Sequence, residues 1–144
     1  MTAVLLLIMA GFIFTAPDAY AGATEFAPVP GKAVVIVYRE KKLKASAVDY
    51  KSYLNDVPLA LISNGTWAKK VVRPGTYDLW IEMYNPRGLI SRAVTTFKWD
   101  AGRVYFIKED SYFISDGLTW RSTATLTNEQ TAKKEIKELK QVGN

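Results

Sequence analysis

Turn chemistry recurs about every ten residues along most of this chain, and the segments between the turns are short and rich in β-branched and aromatic residues. Strands fit that spacing, and long helices do not. Residues 33–38, AVVIVY, are apolar on both alternating faces, as an interior strand requires, and the basic run from Arg39 to Lys44 closes them in a solvated loop. A second strand is expected over 48–54. Asn55-Asp56-Val57-Pro58 is a turn, and residues 59–62 lead into Ser63-Asn64-Gly65, whose Asn-Gly pair predicts a hairpin that folds 66–72 back as the next strand. Arg73-Pro74-Gly75 combines a fixed φ with a residue that accepts positive φ. It launches a run in which Tyr77, Leu79, Ile81 and Met83 share one face, the expected core face, while Asp78, Trp80, Glu82 and Tyr84 share the other. Asn85-Pro86-Arg87-Gly88 turns the chain again. Further strands are expected over 93–99, 104–108 and 118–126, which makes about seven in an antiparallel β-sandwich or barrel.

The last segment changes period. Thr127-Asn128-Glu129-Gln130 resembles a capping box, and Ala132, Ile136 and Leu139 fall along one helical face, so a single C-terminal helix is expected over 128–141 against the sheet edge or bottom.

The first segment reads as an address. Residues 4–16 are apolar without either period, too short for the roughly 20 residues that span a bilayer, and Ala19-Tyr20-Ala21 before Gly22 places small residues where a signal peptidase reads them. No Lys or Arg precedes Lys32, a departure from the usual charged start of such a segment. The expected organisation is a signal peptide over 1–21, a flexible lead-in over 22–31 and one domain over 32–144, with no transmembrane helix after cleavage and a periplasmic or secreted destination. Because Asp18 is the only charge removed, 19 basic residues then face 13 acidic ones and the net charge moves from +5 to +6.

Composition narrows the chemistry. With no His and no Cys, the chain lacks imidazole proton shuttles, Ser-His and Cys-His nucleophile pairs, disulfides and thiolate or imidazole metal sites. Neither a catalytic site nor a cofactor is expected, and Glu109, Asp110 and Asp116 read as loop acids. Nucleic acid is not an expected partner of an exported domain with neither a recognition helix nor an RNA-binding aromatic signature.

Residues Ala33-Val-Val-Ile-Val-Tyr-Arg39, Leu54-Asn-Asp-Val-Pro-Leu59, Asn64-Gly-Thr66, Pro74-Gly-Thr-Tyr77 and Ala101-Gly-Arg-Val-Tyr-Phe-Ile107 resemble, in their order, a family of small bacterial exported domains of unknown function, often lipoproteins. Through Pro74-Gly-Thr-Tyr77 there is a looser likeness to PEGA and carboxypeptidase-regulatory-like domains. The resemblance implies export and a prealbumin-like sandwich. It brings no catalytic residues, and the lipidated cysteine common in that family has no counterpart here.

Two surface features remain as candidates. Trp80 and Tyr84, with Glu82 between them, lie roughly 13 Å apart on the face opposite the core and could stack a sugar or meet a protein partner, unless another element covers them. Arg39, Lys41, Lys42 and Lys44 could meet anionic head groups, although charge runs ordinarily mark exposed turns. Asn64-Gly65-Thr66 matches a glycosylation sequon, but the turn accounts for those residues. The expected function is a non-catalytic module that binds an envelope protein or other cell-envelope component, with carbohydrate binding as the alternative. Mass spectrometry of the exported protein should find Gly22 at its N-terminus; intact residues 1–21 on the exported form would refute cleavage.

Overall fold

The computed structural model describes residues 25–43, 46–114 and 119–143. Residues 1–21, read above as a signal peptide with Ala19 and Ala21 at its cleavage site, and Gly22, Lys44 and Asp116 lie outside the described residues. β1 (Ala33–Arg39) is buried along its whole length. Its odd positions Ala33, Val35 and Val37 join the core between two sheets, and its even positions Val34, Ile36 and Tyr38 join a second core on the other side. A strand apolar on both faces can sit only in such a position.

The chain continues through β2 (Asp49–Leu54), β3 (Val57–Ile62), β4 (Thr66–Val72), β5 (Gly75–Asn85), β6 (Gly88–Trp99), β7 (Arg103–Phe113) and β8 (Trp120–Thr127), then α1 (Glu129–Ile136) and the short β9 (Lys140–Gln141). Sheet A has the order β8-β7-β1-β4-β9 and sheet B the order β3-β2-β5-β6. The expected β-sandwich with one C-terminal helix is present. It has nine strands among the described residues, and its pairing is mixed, because β1 runs parallel to β7 and β9 parallel to β4.

The turns divide into two kinds. Asn55-Asp56 joins β2 to β3 as a tight hairpin, with Asn55 at φ 52°. Residues 86–87 join β5 to β6 in the same way. Asn64-Gly65, however, makes no hairpin: β3 stays in sheet B while β4 crosses to sheet A and pairs antiparallel with β1. The reason lies in β4 itself. Its opening residues Thr66, Trp67 and Ala68 are all buried, and only sheet A offers cover on both faces. Gly65 takes φ 75°, and the Asn64 amide clamps the Lys42 backbone, accepting from its N–H at 2.8 Å and donating to its carbonyl at 2.9 Å.

The expected core face of β5 is the real one: Leu79, Ile81 and Met83 are buried and Tyr77 packs against them. The helix is shorter than expected. Asn128 caps it by accepting from the Thr131 N–H at 2.9 Å, Ala132 and Ile136 are its buried residues, and it ends at Ile136 rather than at 141. Beyond it the unpaired edge of β4 competes for the backbone: the Lys140 and Val142 N–H groups donate to the Gly65 and Trp67 carbonyls, which draws residues 140–141 into β9.

The lead-in differs from expectation as well. The Phe26 ring lies 5.3 Å from Trp67 and 5.7 Å from Phe106, and Val29 packs into the same outer core. From Glu25 onward the chain is therefore held on sheet A, because the second face of β1 and its neighbours needs more apolar cover than one short helix supplies. Phe26→Ala should lower stability by about 2–3 kcal/mol, below the full cost of a sealed phenylalanine because the residue is only partly buried. Denaturant unfolding would show it; an unchanged midpoint would mean that the segment contributes no packing.

Candidate functional site

Sheet A is covered on both faces, whereas the outer face of sheet B has no covering layer among the described residues. On that face the register lines up three cross-strand rows from β2 through β5 to β6: Asp49–Tyr84–Leu89, Lys51–Glu82–Arg92 and Tyr53–Trp80–Val94. Trp80, Glu82 and Tyr84 thus share a face, as the alternation predicts.

Glu82 organises the middle row. It is only 9% exposed, its Oε2 accepts from the Tyr84 hydroxyl at 2.7 Å, and its Oε1 is paired with the Arg92 guanidinium. The Tyr84 hydrogen bond first, then Arg92 and Tyr53, outweigh desolvation and hold its carboxyl below the ordinary range, so it stays ionised. Tyr84 is committed in turn, with the Lys51 ammonium 4.4 Å from its ring centroid. Tyr84 does not line the groove that holds Trp80. Trp80 is half-buried in a groove of about 350 Å³, shared with Tyr53, Asn55, Asp56, Glu82 and Arg92. The groove is closed at one end by the β2–β3 turn, which Asn55 pins to β5: its N–H donates to the Asp78 carbonyl at 2.8 Å and its side-chain oxygen accepts from the Asp78 N–H at 3.0 Å.

Of the basic candidates among the described residues, Arg39 is not on the surface. Arg39 is 3% exposed; its guanidinium donates to the Val48 carbonyl and lies 4.3 Å from the Tyr50 ring centroid. As the last odd position of β1 it must enter the core between the sheets. Lys41 and Lys42 are exposed, but Lys42 is paired with Asp110, which offsets its charge.

Glu109 is no loop acid. It sits on β7 facing the inter-sheet core, 1% exposed, with Oε1 accepting from the Ser52 hydroxyl at 2.7 Å. Its Oε2 and Ser122 Oγ have no hydrogen-bond partner among the described residues. Burial pushes its carboxyl up to about 7, against the Ser52 hydrogen bond and the attraction of Arg39. Since the strands enclose it, no substrate reaches it in this conformation. A second polar network lies on the far face of sheet A, where Glu135 of α1 accepts from the Tyr38 hydroxyl at 2.6 Å and from Lys108 at 3.0 Å, while Lys108 also pairs with Glu40. It fastens the helix to the sheet.

Of the other tryptophans, Trp67 and Trp99 are buried and Trp120 packs on the core. Among the described residues no group of three or more His, Cys, Asp or Glu could hold a metal ion, and no helix is long and apolar enough to cross a membrane. Compared with known proteins, the chain matches no protein-family model and no curated protein.

The folded state holds the Glu109 proton up to about pH 7, whereas the unfolded chain releases it near 4.5. The unfolded state therefore binds fewer protons between those values, and stability falls as pH rises through that window, by roughly 3 kcal/mol in all. Urea unfolding at pH 5 and pH 8 should show the loss. Glu109→Gln should remove most of this pH dependence, and an equal slope in that variant would refute the assignment.

Proposed function

We propose that this chain is a non-catalytic module, exported to the periplasm or secreted, that holds a partner protein or other cell-envelope component against the open face of sheet B. The observation that carries the reading is the asymmetry of the sandwich. One sheet has an apolar strand at its centre and cover on both sides, while the other leaves Tyr53, Trp80, Tyr84 and Arg92 on a face without a covering layer among the described residues. Tyr, Trp and Arg are the residue types that concentrate binding energy at interfaces, and here they surround a carboxylate whose donors already fix its orientation. Export rests on the apolar N-terminal run and the Ala-Tyr-Ala triplet. The non-catalytic reading rests on the absence of His and Cys from the sequence and on the two best-placed carboxylates, one saturated by donors and one sealed in the core.

A single pair of neighbouring substitutions tests the binding face. Leu79→Ala removes a fully buried side chain and should cost roughly 2–5 kcal/mol, whereas Trp80→Ala, one residue on and facing outward, should cost about 1 kcal/mol. Envelope extract passed over the immobilised mature domain should yield a component that the folded Trp80→Ala variant fails to retain. A Trp80→Ala protein that unfolds as readily as Leu79→Ala would make Trp80 structural and take it out of the binding face; a folded Trp80→Ala that retains the same component would end the proposal.

A further inference from the structure

We infer that the Trp80 groove takes a neutral pyranose residue of an envelope glycan; this rests on the reading of sheet B as the binding face. Three strands at a spacing of about 4.8 Å set the width across the site, close to that of one sugar ring with its substituents. The volume of about 350 Å³ lies at the small end of ligand sites. The groove combines an indole with the polar side chains of Tyr53, Asn55, Asp56 and Arg92. A pyranose matches that division: its C–H face carries the partial positive charge that the negative face of an indole attracts, and its equatorial hydroxyls need donors and acceptors at the rim.

Charge selects among ligands of this size. Asp56 and Glu82 contribute two negative charges to the lining, and the one positive charge, on Arg92, is already engaged by Glu82. A phosphate or carboxylate would meet Asp56, and the Arg92 charge that could offset it is already shared with Glu82. A cation would find Glu82 occupied by its own donors and Arg92 beside it. An uncharged polyhydroxyl ligand avoids both costs. Asp56, at the exposed tip of the β2–β3 turn, can accept from two hydroxyls at once, and Arg92 is 55% exposed at its side chain, leaving donors beyond those facing Glu82.

The test uses the full mature domain on an array of neutral, amino and acidic oligosaccharides, followed by calorimetry on the sugars retained. We expect binding to neutral sugars that does not change between low and high salt, that weakens by roughly tenfold or more in Trp80→Ala, and that weakens severalfold in Asp56→Asn, which keeps the turn. Unfolding curves accompany each variant, and Asp56→Asn carries the test alone if Trp80→Ala does not fold. Retention of acidic glycans only, lost at high salt and unaffected by either substitution, would overturn the inference. So would the absence of any sugar binding. If envelope capture still depends on Trp80 while the array is blank, the sugar inference falls and the binding face stands; if neither depends on Trp80, both fall.

Discussion

The burial of β1 on both faces is the constraint to which the other elements answer. Seven consecutive residues, every one of them buried, require a sheet on one side and a second apolar layer on the other. The first need is met by sheet B, through Leu79, Ile81 and Met83. The second is met piecemeal by Ala132 and Ile136 of α1, by Leu139 and by Phe26 and Val29 from the N-terminal approach. Because β4 and β7 flank β1, they inherit the same demand, and their even and odd positions divide accordingly: Trp67 and Phe106 go outward, Ala68 and Ile107 inward. The N-terminal approach and the helix act together as one lid over the outer face of sheet A.

That arrangement assigns the two sheets different work. Sheet A spends its outer face on stability, and the Tyr38–Glu135–Lys108 network there fixes α1 in place. Sheet B needs only its inner face to complete the core, so its outer face is free to carry polar and aromatic side chains. Hairpins on both sides of β2 and β5 keep those side chains in register, with the Asn55–Asp78 backbone pair at one end and the Asn85 side chain accepting from the Arg87 N–H at the other. A face built on paired strands holds its groups more rigidly than one built on loops, which is what recognition by a few convergent polar atoms requires.

Much of this could be read from the residues in order. Period-two alternation placed Leu79, Ile81 and Met83 inward and Trp80, Glu82 and Tyr84 outward, and the Asn128 cap marked the helix start. What escaped depends on contacts distant in sequence. Asn64-Gly65 has the local chemistry of a hairpin, and only the need of Trp67 and Ala68 for cover on opposite faces sends β4 to the other sheet. Arg39 looks like the first member of a basic loop, yet it continues the odd-numbered series of Ala33, Val35 and Val37 into the core. Glu109 continues Tyr105 and Ile107 in the same way. In both cases the strand's alternation, carried one step further, would have signalled burial of a charge. Tyr53 was legible by the same rule from Tyr50, Ser52 and Leu54, but Arg92 as the partner of Glu82 was not, since it depends on the β5–β6 register across a bulge.

The two glutamates lie on opposite sides of β2, Glu109 in the core between the sheets and Glu82 on the outer face of sheet B. Ser52 points inward and donates to Glu109, while its neighbours Lys51 and Tyr53 point outward into the rows that hold Glu82 and Trp80. A one-residue slip of β2 would exchange these faces, placing a lysine and a tyrosine in the core and withdrawing the partner of Glu109. Such a slip would unseat Tyr50 and Leu54 as well, so core packing and the outer face specify the same register. The Glu109–Ser52 hydrogen bond favours the same register, while the other carboxyl oxygen has no partner among the described residues. Glu82, by contrast, has a donor on each oxygen and Lys51 opposite it across the strand pair. Both of its oxygens are thus satisfied on the surface without help from the core, and this is why the proposed binding face is the outer side of sheet B rather than the polar interior.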